Sequence, residues 1–269
     1  MDSGEEHLAG DVSTVVRSGD AVLRTTGPWS PAVHALLMHL EASGFEGSPR
    51  FLGIDKQGRE RLTRLSFIAG DVVHHPTPDV MTEEALVELG RLLRCMHDMA
   101  ADFRLPSDLA WAHAPETEVP GEVVVCHNDL SPKNVIFRAG LPVAFIDWDL
   151  AAPAPRVWDL AHCVWQFVPL VIDAGWITAG WSEPAPLLTR LNRVRALVDG
   201  YALDPAARVR FGRIVALRME RTATGIASLA DAGEPAFVRF REQGVIAEID
   251  AARTWVLQHL TEIDAARLD

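Results

Sequence analysis

The sequence predicts an α+β fold in two lobes: a small antiparallel β-sheet with one helix, followed by a larger and mainly helical lobe. Three observations support this prediction. Short β-rich runs separated by turn residues occupy most of residues 12–68, with one helical pattern among them. Residues 123–149, VVVCHNDLSPKNVIFRAGLPVAFIDWD, have the pattern of a strand, a loop, a strand, a turn and a strand. From residue 186 to residue 260 the chain is helical in character.

Length, composition and charge restrict the class of protein. The 269 residues suffice for one large or two modest domains with a sizeable core. No apolar run reaches the roughly 18 residues of a membrane helix. The acidic start MDSGEEHLAG also lacks a signal-peptide core, so we expect a cytoplasmic protein with no membrane partner. The 25 basic and 37 acidic residues give a net charge of −12, which argues against a nucleic-acid partner and is compatible with a cationic substrate.

The three cysteines, Cys95, Cys126 and Cys163, stand alone among apolar neighbours. An odd count without metal-ligand spacing argues against a disulfide framework or a zinc site, and it suits a reducing cytosol. Because Cys126 ends the apolar run VVVC, we expect a buried strand thiol there rather than a nucleophile.

In the smaller lobe, β-rich runs alternate with turns. The predicted strands are Val12–Arg17, Ala21–Thr25, Phe51–Ile54 and Arg61–Ile68. Between the second and third of them, Ser30-Pro31 is expected to start a helix that ends at Gly44, with Ser30 as its N-cap.

The larger lobe is predicted to begin with a long helix capped by Thr82. The prolines that follow Asp149 are expected to break the chain before another helix begins near Pro155. Three further helices are predicted, at Pro186–Tyr201, Pro205–Ala230 and Pro235–Leu260.

Residues 123–149 carry the strongest chemical signal. Asp129 and Asn134 lie on one polar loop, and the hairpin that follows can bring Asp147 back beside them. Mg²⁺ accepts carboxylate and amide oxygens, so Asn134 and Asp147 are suitable ligands, which leaves Asp129 to accept a proton. Phosphoryl transfer from a nucleotide needs one carboxylate near the attacking hydroxyl and oxygen ligands for Mg²⁺.

The same residues form a family motif. The pattern H-x-D-x-x-x-x-N, followed by a hairpin and I-D, resembles the catalytic and metal loops of the protein-kinase-like fold. HNDLSPKN followed by FIDWD is most similar to the aminoglycoside phosphotransferase family, whose relatives include choline and other small-molecule kinases. Asn128 stands where protein kinases have Arg, and no D-F-G or A-P-E is present. These differences favour a small-molecule kinase over a protein kinase.

The resemblance also implies residues that support the catalytic loop. His127 is expected to pack beneath the loop, and Asp159, in the D-L-A segment, to accept backbone N–H groups from it. Asp149 is either a secondary metal contact or a salt-bridge partner, and we favour the salt bridge. Lys133 could reach a phosphate, but a solvated Lys is the favoured interpretation.

The nucleotide, ATP or GTP, would lie against the smaller lobe. No G-x-G-x-x-G is present. Ser13 and Thr14 could bind phosphate there, or they could belong to an ordinary turn. Arg24 stands where kinases have a Lys that grips the phosphates, and a surface strand Arg is an equally good interpretation.

Element order implies two further positions. Residues 67–70 fall where kinases have the hinge between lobes, so Phe67 and Ile68 could flank the adenine ring. We place the boundary between the lobes after residue 69, which gives lobes of residues 1–69 and 70–269. Glu41 is the only acid of the first predicted helix, which corresponds to the kinase helix whose Glu pairs with the phosphate-gripping cation. His34 and His39 are alternative partners for that cation.

We therefore expect a kinase that transfers the γ-phosphoryl group of ATP or GTP to a hydroxyl of a small molecule with the help of Mg²⁺. The acceptor stays open among aminoglycosides, choline-like alcohols and sugars. One rival is a pseudokinase that binds nucleotide and acts through protein contacts, suggested by Arg24 and the missing glycine loop. The intact set Asp129, Asn134 and Asp147 argues against this rival. A metal-dependent hydrolase would require more His and carboxylate ligands than the motif offers.

The positions of the acids in the C-terminal third of the chain affect which charge the acceptor can carry. If several of these acids lay together near Asp129, they would favour a cationic acceptor. A solvated surface of mixed charge is the favoured interpretation. These acids are Glu183, Asp231, Glu234, Glu242, Glu248 and Asp250.

Overall fold

A computed structural model gives the conformation of most of the chain. It describes residues 5–8, 15–57, 60–73, 77–78, 81–114, 116, 118–171, 177, 180–181 and 185–265. Ser13, Thr14 and Glu183 lie outside these residues, as do residues 12–14 of the first predicted strand.

The N-terminal part forms one antiparallel sheet of five strands in the order β1-β2-β3-β5-β4. These strands are β1 (Glu5–Leu8), β2 (Val15–Ser18), β3 (Ala21–Thr25), β4 (Phe51–Gln57) and β5 (Glu60–Ser66). β3 has the predicted bounds, and it lies in the centre of the sheet with Arg24 opposite Val15 on one side and Thr63 on the other. Arg24 is therefore carried by a strand that is paired along both edges.

Helix α1 (Ser30–Ala42) packs beside this sheet and buries Leu36, Leu37 and Leu40. Its start differs from the prediction, because Trp29 and not Ser30 occupies the N-cap position. The Ser30 hydroxyl instead accepts a hydrogen bond from the Gly27 N–H at 2.9 Å, so it closes the turn before the helix.

The chain then changes sheets at Gly70. β6 (Asp71–Val72) pairs with β8 (Val135–Arg138), which belongs to a second sheet with the order β6-β8-β9. Gly70 has φ +150°, and a Cβ atom there would lie 2.4 Å from Ile136 Cγ2 and 2.6 Å from the Phe137 carbonyl oxygen. Only glycine fits this close approach. The segment between the sheets is thus fixed against strand β8.

The remaining strands and the helices form the larger part of the molecule. The strands are β7 (Val123–Cys126), β9 (Leu141–Phe145) and β10 (Ala152–Pro155). The helices are α2 (Glu83–Ala100), α3 (Val157–Phe167), α4 (Leu187–Gly200), α5 (Pro205–Arg208), α6 (Phe211–Asp231), α7 (Pro235–Glu242), α8 (Val245–Gln258) and α9 (Leu260–Asp264). Thr82 caps α2 as predicted, since its hydroxyl accepts from the Ala85 N–H at 3.1 Å. None of the helices in the described parts of the chain is both long and apolar enough to cross a membrane.

Two of the long predicted helices are divided. Residues 205–230 form α5 and α6, with a break at residues 209–210, and residues 235–260 form α7, α8 and the start of α9. The break before α8 falls at Gly244, whose φ of +84° lies outside the helical region. The sequence was interpreted as helical through these breaks, so each region was predicted as a single helix.

β10 was not predicted, because Pro153 and Pro155 were taken to break the chain. The structure pairs Ala152–Pro155 with β7 in an antiparallel ladder. The two-stranded sheet leaves β10 with an outer edge, and proline is tolerated on an edge strand because its missing N–H need not be donated there. β10 also receives the Cys126 thiol, which donates to the Ala154 carbonyl at 3.5 Å. Cys126 is fully buried, as predicted.

Candidate active site

The loop after β7 brings Asp129 and Asn134 into contact. The Asn134 side-chain amide donates to the Asp129 carboxylate at 2.9 Å and to the Asp129 carbonyl at 2.8 Å. A short 3-10 helix at Pro132–Asn134 produces this arrangement by turning the chain back on itself. Both bonds use the amide nitrogen, so they leave the amide oxygen of Asn134 to act as a metal ligand.

Asp147 follows β9 and lies near the same loop. The Ile146 N–H donates to the Asn134 carbonyl at 2.9 Å, which joins the end of β9 to the loop. Asp147 itself has φ +63°, an uncommon conformation for a residue other than glycine, and its side chain is 47% exposed. The carboxylate is therefore presented to the solvent beside the catalytic loop.

The pKa of Asp129 is higher than that of an ordinary aspartate. Burial raises its pKa to about 6, the negative charge of Asp147 adds to the increase, and the charges of Lys133 and Arg218 oppose it. A pKa near 6 leaves the carboxylate mostly ionised at neutral pH but more basic than an exposed Asp. This combination is suited to a group that accepts a proton.

Arg24 lies between two carboxylates of the loop after β9. Its Nη2 atom is 2.9 Å from Asp147 Oδ1 and 2.7 Å from Asp149 Oδ2. The Arg24 side chain is only 11% exposed. Asp149 therefore forms the salt bridge that was the favoured interpretation, and its partner is the cation considered for phosphate binding.

Glu41 does not pair with Arg24, contrary to the position inferred from element order. Its carboxylate lies 3.8 Å from Arg50 Nε on the protein surface. The two alternative partners are also engaged elsewhere. His34 shares a hydrogen bond with the Thr63 hydroxyl at 2.9 Å, and His39 donates to the Met99 carbonyl at 2.9 Å. The carboxylates that hold Arg24 come from the other part of the molecule.

Asp159 lies directly beneath the catalytic loop and is completely buried. Its two oxygens accept the backbone N–H groups of His127, at 2.6 Å, and Asn128, at 2.8 Å. Burial opposes the ionisation of Asp159, but its hydrogen bonds and the nearby His97 outweigh burial and lower its pKa to about 2. Asp159 thus remains a carboxylate that accepts the N–H groups of the loop.

His127 is buried under the loop as expected. Its Nε2–H donates to the Ile146 carbonyl at 2.9 Å, and its Nδ1 accepts the Asp129 N–H at 3.3 Å. Burial lowers its pKa, which is consistent with a neutral ring that donates on one side and accepts on the other. The ring therefore bridges the two loops that carry Asp129 and Asp147.

Comparison with known proteins identifies the family. A sequence model of the phosphotransferase enzyme family (APH) matches residues 106–197. The trifolitoxin immunity protein of Rhizobium leguminosarum bv. trifolii is 39% identical over 198 residues, which make up 72% of this chain and 72% of that protein. The chain belongs to the phosphotransferase enzyme family. The family and the class of enzyme predicted from the sequence motifs are thereby confirmed.

Solved structures show the fold of this phosphotransferase. A choline/ethanolamine kinase family protein from Mesorhizobium loti has a TM-score of 0.65 and 16% identity, over 98% of this chain and 93% of that chain. The amicoumacin kinase hAmiN, in complex with AMP-PNP, Ca²⁺ and Ami, has a TM-score of 0.65 and 13% identity over 95% and 88%. Spectinomycin phosphotransferase APH(9)-Ia, with ADP and spectinomycin, has a TM-score of 0.55 and 13% identity over 93% of each chain. The predicted bilobal, protein-kinase-like α+β fold is confirmed.

The sequence indicates a buried, hydrogen-bonded core histidine at His97, and the structure confirms it, but the partners that extend it into a polar chain beneath the loop were not predicted. His97 of α2 donates from Nε2 to Asp159 at 3.3 Å, and its Nδ1 shares a hydrogen bond of 2.8 Å with the Tyr201 hydroxyl. His97, Asp159 and Cys126 offer ligand atoms within 4.8 Å of one another, and among the described residues this is the only such group of three. Each of the three already has a hydrogen-bond partner, so the group forms a polar core of the phosphotransferase and not a metal centre.

Asp159→Asn is expected to lower the free energy of unfolding by about 1–3 kcal/mol, because an amide nitrogen would face a buried N–H group that then has no acceptor. Urea denaturation measures this change. Asp98→Asn is the matched control, since Asp98 forms exposed ion pairs with Arg94 and Arg156, and it should cost less than about 1 kcal/mol. Equal losses in the two variants would contradict the role of Asp159 as an anchor of the loop.

The segment after β5 contains the two residues expected beside the nucleotide base. Phe67 and Ile68 are partly buried, and the Phe67 N–H donates to the Asp20 carbonyl at 2.8 Å. The Arg17 guanidinium lies over the Phe67 ring, 3.8 Å from its centre. One face of the ring is thus covered by Arg17, and the role of Phe67 and Ile68 beside a nucleotide base stays a prediction.

The structure gives the ion-pair partner of one of the acids considered for a cationic acceptor, Asp231. Asp231, at the end of α6, pairs with Arg241 of α7 at 2.6 Å, and both side chains are largely exposed. The side chain of α6 that contacts the catalytic loop is a cation, Arg218. An ion pair and a cation are what a surface of mixed charge would contain, and the charge of the acceptor stays a prediction.

Proposed function

We propose that this phosphotransferase moves the γ-phosphoryl group of ATP or GTP to a hydroxyl of a small molecule, with Asp129 as the catalytic base. The observation that carries the proposal is the contact of Asn134 with Asp129, next to the exposed carboxylate of Asp147. A base with a raised pKa and two oxygen ligands at one place are the groups that this reaction needs.

The reaction follows from the positions of these groups. Asp129 accepts the proton of the acceptor hydroxyl while the hydroxyl oxygen forms a bond to the γ-phosphorus. The bond from that phosphorus to the oxygen bridging it to the β-phosphate breaks, and the nucleoside diphosphate leaves with the bond's electron pair. Asp129 is left protonated and returns its proton to solvent, a step that a pKa of about 6 favours at neutral pH. His127 and Asp159 hold the loop in place during these events.

Asn134 and Asp147 would hold Mg²⁺, whose charge would help to neutralise the phosphates. Their chemistry fits this ion, since one offers a carboxylate and the other an amide oxygen. The position of Arg24 adds a second argument, because the guanidinium shows that the carboxylates of Asp147 and Asp149 together accommodate a cation. The structure of the related amicoumacin kinase with AMP-PNP and Ca²⁺ is consistent with a nucleotide and a divalent ion in this fold.

The nucleotide is proposed to lie between residues 1–69 and residues 70–269. Arg24 would bind its phosphates through a planar guanidinium, held in position by Asp149. Ser13 and Thr14 are proposed to contact the same phosphates, and Phe67 and Ile68 to flank the base. A cytoplasmic location, where ATP and GTP are available, completes this proposal.

The acceptor is proposed to be a toxic or antibiotic compound with a free hydroxyl. The related protein from Rhizobium is named for immunity to trifolitoxin, and structures of similar fold are kinases of amicoumacin and spectinomycin. A choline-like alcohol or a sugar is the alternative, since a choline/ethanolamine kinase family protein is equally similar in structure.

The test is a transfer assay with purified protein, Mg²⁺ and γ-labelled ATP or GTP. The panel of acceptors contains aminoglycosides, spectinomycin, trifolitoxin, choline and simple sugars. Label should appear on at least one acceptor, and only with Mg²⁺ present. If nucleotide binds but neither transfer nor slow Mg²⁺-dependent hydrolysis occurs, the chain is a pseudokinase and the proposal is wrong.

The charge of the acceptor can be measured in the same assay. If acids attract a cationic acceptor, its KM should rise steeply between 0.1 M and 1 M salt, because the Debye length falls from about 10 Å to about 3 Å. The KM of the nucleotide should change less. An efficient neutral acceptor, or an acceptor KM that stays constant over this range, would exclude a cation-binding pocket.

A further inference from the structure

A cation from helix α6 contacts the catalytic loop. Arg218 donates from Nη2 to the Asn128 carbonyl at 2.6 Å and from Nη1 to the Thr222 hydroxyl at 2.8 Å. The guanidinium carbon lies 5.2 Å from the ring centre of Trp158, within the range of a cation–π interaction. The head group of Arg218 thus has three contacts, and the shortest of them is with the residue before the proposed base.

Asn128 holds this point of the chain through its backbone N–H, its backbone carbonyl and its side-chain NH₂ group. Its N–H donates to Asp159 at 2.8 Å, and its side-chain amide donates to the carbonyls of Leu150 and Ala152 at 3.2 Å each. Its own carbonyl accepts from Arg218. The residue has φ +66°, in the left-handed region that Asn adopts more readily than most other residues. The surrounding hydrogen bonds hold this turn and the peptide that joins Asn128 to Asp129.

We propose that Arg218 is a positioning residue of the transfer reaction, which fixes the Asn128–Asp129 peptide and thereby directs the Asp129 carboxylate toward the acceptor hydroxyl. This inference rests on the proposed function of Asp129. It extends that function to a helix outside the recognised motif, since neither HNDLSPKN nor FIDWD contains Arg218.

Two features separate this role from simple packing. The apolar side of α6, with Val215, Ala216 and Met219 buried, already attaches the helix to the core. A largely buried guanidinium is costly unless it is hydrogen-bonded, and the bonds of Arg218 go to Thr222 from Nη1 and to the loop from Nη2, while its buried Nε has no partner among the described residues. The shortest hydrogen bond of Arg218 also leaves the helix and ends on the Asn128 carbonyl of the loop, at 2.6 Å. Both features concern the loop and not the stability of the helix.

The first experiment compares Arg218→Met, Arg218→Lys and the control Arg221→Met. Arg221 lies on the same helix but pairs with the exposed Glu118. Arg218→Met should lower kcat roughly 10- to 100-fold, the scale of a misplaced catalytic group, while the KM for ATP stays within about twofold. Arg218→Lys, which retains one donor and the charge, should recover most of the loss. Arg221→Met should keep the wild-type kcat.

The second experiment needs no activity, so it remains informative if the proposed transfer reaction is not found. Hydrogen–deuterium exchange is followed in the peptide that covers residues 127–134. Arg218→Met should accelerate exchange there and leave α3 and the N-terminal sheet unchanged, whereas Arg221→Met should have no effect. Unchanged exchange and an unchanged kcat in Arg218→Met would overturn the proposal. Accelerated exchange throughout α3 and α6 would overturn it as well, because it would show a general loss of stability.

Discussion

Asp129→Asn should reduce turnover by roughly 10²- to 10⁴-fold, the usual scale for loss of a general base, and leave nucleotide binding nearly intact. The amide has the shape of the carboxylate, and its oxygen can still accept from Asn134, which donates to Asp129 at 2.9 Å in the present structure. What the amide lacks is the ability to take a proton. Steady-state kinetics give kcat, and calorimetric titration gives the affinity for the nucleotide.

The control for this substitution is Asp98→Asn, which removes the same charge from an exposed position on α2. It should leave kcat unchanged, so that a loss in Asp129→Asn cannot be attributed to net charge. A variant of Asp129 that keeps near wild-type turnover would disprove its assignment as the base. A variant that loses turnover only because the nucleotide no longer binds would do the same.

The catalytic stretch was predictable because its information is local. The strand, the loop and the hairpin are specified by residues within 27 positions of one another. The turn at residues 139–142 brings the end of β9 back to the start of β8. The closeness of Asp129, Asn134 and the end of β9 could therefore be predicted without knowledge of the rest of the fold, while their roles stay a proposal. The backbone contacts of Asp159 were accessible in the same way, through the resemblance of the D-L-A segment.

Contacts between distant elements were not predictable from such patterns. The sequence places an acid, Glu41, on the expected helix, but element order does not determine which way a side chain points. In the structure the cation of β3 instead meets Asp149, which is 125 positions away along the chain. Arg218 of α6 reaches the catalytic loop directly, and Tyr201 at the end of α4 contacts His97, which in turn contacts Asp159 beneath the loop. Apolar periodicity predicts which side of a helix is buried, but it does not predict these polar partners.

Asp147→Asn should abolish the part of the nucleotide's thermal stabilisation that depends on Mg²⁺. A ligand that binds the folded state raises the melting temperature by mass action, so the difference between melts with ATP alone and with ATP and Mg²⁺ reports on the metal. Asp147 is the only proposed metal ligand that carries a negative charge, and an amide in its place binds Mg²⁺ far less well. The difference between the two melts should therefore fall to the experimental error.

Asp149→Asn is the matched variant, because Asp147 and Asp149 contact the same Nη2 atom of Arg24 at 2.9 Å and 2.7 Å. Either substitution weakens the hold on Arg24, so either one can reduce the stabilisation by ATP without metal. Only the loss of Asp147 should remove the additional effect of Mg²⁺, while Asp149→Asn should keep most of it. If Asp149→Asn loses the larger share, the charged ligand of the metal is Asp149, and Asp147 serves instead to hold Arg24.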